Sequence, residues 1–353
     1  MTNKKFHFKI SIIGNYGRGR ECSCGQTIKV RTVTSALQKE FSEDDILKID
    51  TYGSVQTLLK APIYAITAMR KSSNVIIFPA HNGVRIFGRM LPLLKTFFRG
   101  KKIHYVVIGG WLPEFLKKRP GLRWALKKFD GIYVETSTMK KALEEQGFSN
   151  VYVMPNFKRL TALTTDQLVY PTEAPYKLCT FSRVMKEKGI ETAANAVKSV
   201  NESLGYQAFS LDIYGVVEAE QKDWFEKTKN EFPDYIMYRG YVDSDKSVET
   251  LKNYFALLFP THFYTEGIPG TIIDAYAAGV PVISARWESF SDVVDDGKTG
   301  IGYEFDNVDD LKQKLLDIAQ DIDKINALKL NSLQKSKQFF PDETIKIIVE
   351  QLL

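Results

Sequence analysis

At 353 residues, 44% hydrophobic and 25% charged, the chain has a globular composition and the length for two ordinary domains. It has no uncharged apolar run of about 18 residues, no signal-like apolar core behind Met1–Phe6, and only Cys22, Cys24 and Cys179 with four scattered histidines. A membrane span, a secretory leader, a disulfide framework and a metal cluster are therefore not expected, which points to the cytoplasm. The net charge of +6 is divided unevenly, with 28 basic against 12 acidic residues in 1–170 (+16) and 20 against 30 in 171–353 (−10). Such a split suggests that one half faces an anionic surface.

Taken in order, Lys9–Gly14 reads as a strand and Gln26–Phe41 as a helix after a glycine-punctuated loop. Ile46–Asp50, Val75–Phe78, Ile103–Ile108, Gly131–Val134 and Val151–Met154 read as further strands, with helical patterns at Ser54–Lys71 and Ser137–Gln146. Alternation of this kind predicts a parallel, doubly wound α/β sheet. Pro155-Asn156-Phe157 opens a polar stretch, Lys158–Pro175, that reads as a linker. A second series follows: strands at Lys177–Phe181, Phe209–Tyr214, Ile236–Gly240, Leu257–Phe259 and Val280–Ser284, then helices at Asp309–Gln320, Ile322–Phe339 and Asp342–Leu353. We expect one Rossmann-like domain over 1–165, a second over 170–339, and a cleft between them lined by the carboxyl ends of both sheets, where such folds bind ligands.

The positive charge gathers at Arg99-Gly100-Lys101-Lys102 and along Leu116–Lys128. The second run interleaves Phe115, Leu116, Leu122, Trp124 and Leu126 with cations, as an interfacial membrane segment does, although Pro120-Gly121 interrupts the pattern and a solvated helix face fits equally. No helix-turn-helix, zinc or RNA-recognition signature accompanies the charge, so nucleic acid is not an expected partner.

Two constellations in the second half carry chemistry. Glu266 precedes the turn Gly267-Ile268-Pro269-Gly270, and a helix then starts at Gly270-Thr271 and carries Asp274. First-turn amides of such a helix make an anion seat, to which Thr271 adds a hydroxyl. Two carboxylates flanking that seat can accept hydrogen bonds from sugar hydroxyls on either side of a bound diphosphate. Upstream, a strand ends at Thr180-Phe181-Ser182, followed by Arg183 and by Lys188-Gly189 before another helix. Arginine offers phosphate a fixed fork and lysine a mobile point charge.

The segment Glu266–Asp274 resembles the Glu-(seven residues)-Glu signature of retaining glycosyltransferases with the two-domain GT-B fold, the large family 4 of that class. The resemblance implies that Glu266 lies by the donor sugar, that Asp274 (a glutamate in typical members) holds the ribose hydroxyls, and that Arg183 and Lys188 hold the donor diphosphate and neutralise it as it leaves. It also implies that the last helix, 340–353, returns to the first domain, and that the first loop, with Gly14, faces the donor phosphates and the acceptor.

On the acceptor side, Gly14-Asn15-Tyr16-Gly17-Arg18-Gly19, with Gly25 and Gln26, does not match the dinucleotide spacing, and Asp50 lies about ten residues too far on for that role. Lys29 and Arg31 either meet an acceptor phosphate or flank a solvated helix. His81 and Asn82 follow an apolar strand and reach the cleft mouth, with His81 either structural or functional. Many relatives carry a second histidine after the next strand, where this chain has Ile108-Gly109-Gly110-Trp111, and Trp111 stacks on an acceptor sugar or packs its own loop. Asp243-Ser244-Asp245 reads as a helix-start cap rather than a metal motif. The reading is a metal-independent enzyme that moves a sugar from a nucleoside diphosphate to a saccharide acceptor, often lipid-linked, in cell-surface polysaccharide synthesis, peripherally bound at the inner face of the membrane. Two rivals are a nucleotide-sugar epimerase of the same fold and a non-catalytic partner subunit.

Overall fold

Among the described residues, Val, Ile and Leu runs form twelve short strands in two sheets. The structure, a computed structural model, describes residues 7–19, 25–53 and 59–353. The cysteines at 22 and 24, the start of the chain, and the first turns of the Ser54–Lys71 pattern lie outside the described residues. The first unit comprises Met1–Phe157 and Pro341–Leu353, the second Lys158–Phe340.

In the first unit, β1 (Phe8–Gly14), β2 (Ile46–Asp50), β3 (Ser72–Ile77), β4 (Lys102–Val106), β5 (Gly131–Val134) and β6 (Val151–Val153) form a parallel sheet in the order β2-β1-β3-β4-β5-β6. Alternate side chains enter opposite cores, as a pleated strand covered on both faces requires. Ile13, Val75, Ile77 and Tyr105 pack on one face, and Ile10, Ile12, Ile76 and Val106 on the other. The terminal helix Lys346–Leu352 packs Ile348 and Leu352 into the second of these cores. Its carbonyls take hydrogen bonds from Asn74 (to Leu352, 3.1 Å) and Lys102 (to Gln351, 3.0 Å).

The second unit repeats the plan with β7 (Tyr176–Phe181), β8 (Phe209–Tyr214), β9 (Ile236–Gly240), β10 (Ala256–Phe259), β11 (Val282–Ala285) and β12 (Gly300–Tyr303), all parallel, in the order β12-β11-β10-β7-β8-β9. Residues 158–175, expected as a linker, belong to this unit. Leu160 and Leu163 rest on its core, and the Leu163 amide donates to the Ala277 carbonyl at 2.9 Å. The first division of the chain therefore falls at 157 rather than 165. The single helix expected over Ile322–Phe339 is broken into Asp323–Asn326, Lys329–Ser336 and a 3-10 turn, Lys337–Phe339. An i to i−3 closure from the Leu328 amide to the Ile325 carbonyl (3.0 Å) separates the first two pieces.

Candidate active site

In the second unit the carboxyl ends of β7 and β10 bring Lys188 and Glu266 together. β7 ends at Phe181. The chain turns through Arg183 and a 3-10 turn, Lys186–Lys188, and enters the helix Ile190–Leu204 at Gly189. Gly189 has φ +71, and a Cβ there would stand 1.8 Å from the Pro260 carbonyl oxygen, so only glycine lets the two loops approach. The Lys188 ammonium pairs with the Glu266 carboxylate, the side chains being 13% and 17% exposed. It also lies 5.0 Å from the Phe263 ring centroid and 5.5 Å from that of Phe259. Thr261 donates its hydroxyl to Glu266 at 3.3 Å. Arg183 stands further out, half exposed, with Nη1 3.2 Å from Glu218 Oε1.

Four residues past Glu266 the helix Gly270–Ala277 begins with no side-chain cap. Gly267, Ile268 and Pro269 are buried, and the Ile268 side chain packs into the core, so this turn can offer a ligand only its backbone. The Thr271 hydroxyl is enclosed without a partner, the kind of group that a bound oxygen would satisfy.

Asp274 does not stand open to a ribose. It is 4% exposed at the side chain, and both of its oxygens accept from the Lys158 ammonium at 2.6 Å. Oδ1 also accepts from the Ser247 hydroxyl at 3.0 Å. Burial pushes the carboxyl pKa up, and Lys158 and Ser247 oppose that rise. The shorter acid thus sits deeper than a ribose ligand should, in an interior ion pair. Asp243 is not a side-chain cap either, because the 3-10 turn Ser244–Lys246 starts without a bond from it. Among the described residues no three carboxylate, imidazole or thiol groups gather to hold a metal ion.

In the first unit, Gly14 ends β1 where a Cβ would come within 2.8 Å of Val30, so it serves strand–helix packing. Lys29 is not an anion ligand. It is buried, 3.4 Å from Glu135, donates to Asn156 Oδ1 at 3.2 Å, and has its pKa lowered by burial against the pull of Glu135. Arg31 turns inward, donating from Nη2 (2.6 Å) and Nε (3.1 Å) to the Tyr16 carbonyl. Its work is to hold the first loop, which Asp50 also pins by accepting the amides of Tyr16, Arg18 and Tyr52. His81 and Asn82 are exposed at the start of the helix His81–Phe97 and line a cavity of about 330 Å³ with Asn15, Gln26 and Pro79. Trp111 stacks on His81 at 3.9 Å between centroids, and its indole donates to the Ile108 carbonyl at 2.8 Å. Burial, then Arg119 and Arg85, push the His81 pKa down.

The basic run folds as two short helices, Leu112–Lys117 and Pro120–Leu126. Leu116, Leu122 and Leu126 point into the core, so of the interleaved apolar residues only Trp124, 64% exposed, stays well outside. Lys128 lies 3.4 Å above its ring. Leu93 and Phe97, on the adjoining helix His81–Phe97, add exposed apolar surface that the sequence pattern did not disclose.

A parallel α/β unit whose strand ends gather a lysine–glutamate pair, an arginine and an uncapped helix start has the parts of a nucleotide-sugar site. Residues 175–321, within the second unit, match the family of glycosyl transferases group 1. The chain is 29% identical over 177 residues to the UDP-N-acetylglucosamine–peptide N-acetylglucosaminyltransferase GtfA subunit of Streptococcus gordonii, covering 49% of this chain and 33% of that protein. It thus spans about a third of this relative's length. Two solved structures match nearly end to end. Anabaena HepE in complex with UDP has TM-score 0.73, 11% identity and 98% and 99% coverage of the two chains. Sucrose-phosphate synthase from Thermosynechococcus elongatus has TM-score 0.73, 16% identity and 98% coverage of each. At these identities the likeness establishes the fold, which is GT-B.

Proposed function

We propose that the chain is a retaining glycosyltransferase that moves a sugar from a nucleoside diphosphate to a saccharide acceptor, lipid-linked and destined for cell-surface polysaccharide. The observation that carries this reading is the Lys188–Glu266 pair, four residues before an uncapped helix start. The barrier is heterolysis of the anomeric C–O bond, in which negative charge grows on the departing diphosphate. Lys188, Arg183 and the amides at Gly270-Thr271 meet that charge without a metal, in fixed positions that need no reorganisation. Glu266, held by the Lys188 ammonium, accepts donor hydroxyls on its remaining lone pairs while the lysine stays in place. The acceptor occupies the cavity at His81 and Asn82 in the first unit. The test is a panel of nucleotide sugars assayed for hydrolysis and transfer, beginning with UDP-N-acetylglucosamine because the streptococcal relative is named for it. Release of a free nucleoside diphosphate supports the reading. Conversion to an epimeric sugar, or no turnover of any donor, overturns it.

A peripheral seat on the inner face of the membrane completes the proposal. Lys117, Lys118, Lys127 and Lys128 are exposed around Trp124. Each contributes up to about 1 kcal/mol near an anionic surface. Low-salt sedimentation with phosphatidylglycerol vesicles should carry the protein into the pellet. Replacing the four lysines by glutamine, or raising salt, should release it. A wild-type chain that stays in the supernatant overturns the membrane seat and leaves the transfer reading intact.

A further inference from the structure

Glu266 lies in the middle of residues 260–269, a stretch with no helix or strand between β10 and the helix Gly270–Ala277. A carboxylate on such a loop holds its place only if other contacts over-determine the backbone. Pro260 is pressed against Gly189. The His262 amide donates to the Glu187 carbonyl at 2.9 Å, one residue before Lys188. The Thr261 hydroxyl accepts the Phe263 amide at 3.2 Å and reaches Glu266. The His262 ring then joins two further elements. Nδ1 bonds Asp306 Oδ1, in the turn after β12, and Nε2 lies 3.2 Å from the Thr192 hydroxyl on the helix Ile190–Leu204. A carboxylate only accepts, so Nδ1 carries a proton and fixes the ring's orientation. Asp306 itself takes a left-handed backbone, φ +57, a conformation that aspartate tolerates better than most residues and that persists where its surroundings hold it.

We infer that His262 is a positioning residue. Its imidazole clasps the 260–269 loop to Asp306 and Thr192 and so sets where Glu266 meets Lys188. The inference rests on the glycosyltransferase reading for its catalytic consequence, but not for its structural one. His262 is exposed, so truncation opens no core cavity. Loss of the clasp leaves both charged groups in place but free to drift. Misplacement of groups that act on the transition state lowers kcat more than it raises KM.

The experiment has two readouts. In the ligand-free protein, His262→Ala should speed hydrogen exchange of amides 261–266 on the order of tenfold, with the global unfolding midpoint little changed. With UDP-N-acetylglucosamine as donor, kcat should fall on the order of tenfold while KM moves by less than about threefold. Asp306→Asn, whose amide oxygen still accepts from Nδ1, should keep most of the turnover. Asp306→Gly, which keeps the left-handed backbone and removes only the carboxylate, should match His262→Ala, and the double variant should be no worse than either, because the two side chains act as one unit. Unchanged exchange at 261–266 in His262→Ala, or losses that multiply in the double variant, overturns the clasp. Faster exchange in a chain whose wild type turns over no donor supports the clasp and overturns the proposed function alone.

Discussion

Lys188→Ala should lower turnover of a nucleotide-sugar donor by on the order of a hundredfold or more, the usual loss when one fixed electrostatic donor to a transition state is removed. The ammonium is held between Glu266 and the rings of Phe259 and Phe263 before any substrate arrives, so its orientation costs nothing during the reaction. Diphosphate charge is greater in the transition state than in the bound donor, so kcat should fall further than donor affinity. Lys188→Arg should restore little, because a planar fork does not fit a place shaped for a point charge between two rings. Arg183→Ala should also lower turnover, but by less, since Arg183 is half exposed and water screens its field. Steady-state kinetics on both variants decides the matter. Near-native turnover in both would remove the diphosphate from this end of the sheet.

Local patterns disclosed the sheets well, because a buried parallel strand announces itself as an apolar run, as Ala256–Phe259 does. The strand Gly300–Tyr303 escaped because two glycines dilute its apolar signal. One is present for a close approach, since a Cβ on Gly300 would stand 2.4 Å from the Val282 carbonyl. For the candidate site, spacing singled out Arg183, Lys188, Glu266 and the helix start, all within two short stretches of chain, and of these Lys188 and Glu266 meet. It could not say what each charge would face. Lys29 and Arg31 looked like surface cations near a loop. The partner of Lys29 is Glu135, more than a hundred residues away, and that of Arg31 is a backbone carbonyl, which has no signature. Asp274 has the same history, for Lys158 comes from a stretch that read as linker. His262 passed unnoticed beside the conspicuous Glu266, because its importance lies in Asp306 and Thr192.

Lys158→Ala should destabilise the second unit by about 3–5 kcal/mol, because it leaves the buried Asp274 carboxylate without its counter-ion. In a unit of this size that is on the order of a 10 °C fall in the unfolding midpoint. The pH dependence identifies the cause. Asp274 already has its pKa raised by burial, and without Lys158 the rise is unopposed except by Ser247. A carboxyl whose folded pKa lies above its unfolded value holds more protons when folded, so its contribution to stability falls as pH rises. Lys158→Ala should therefore recover part of its loss as the pH is lowered from neutral and the buried acid is neutralised. Adding Asp274→Asn should recover most of it at every pH, since an amide of the same shape carries no charge. Asp274→Asn alone should cost less, because Lys158, at 17% exposure, keeps some water. Its donor KM then tests the ribose expectation directly. A KM unchanged in a folded Asp274→Asn variant means that the acid serves the fold, whereas a rise of tenfold or more would return it to the nucleotide. Thermal melts of the three variants from pH 5 to 8 decide the first question. Losses independent of pH would show that the Lys158–Asp274 pair is not what holds this corner of the unit together.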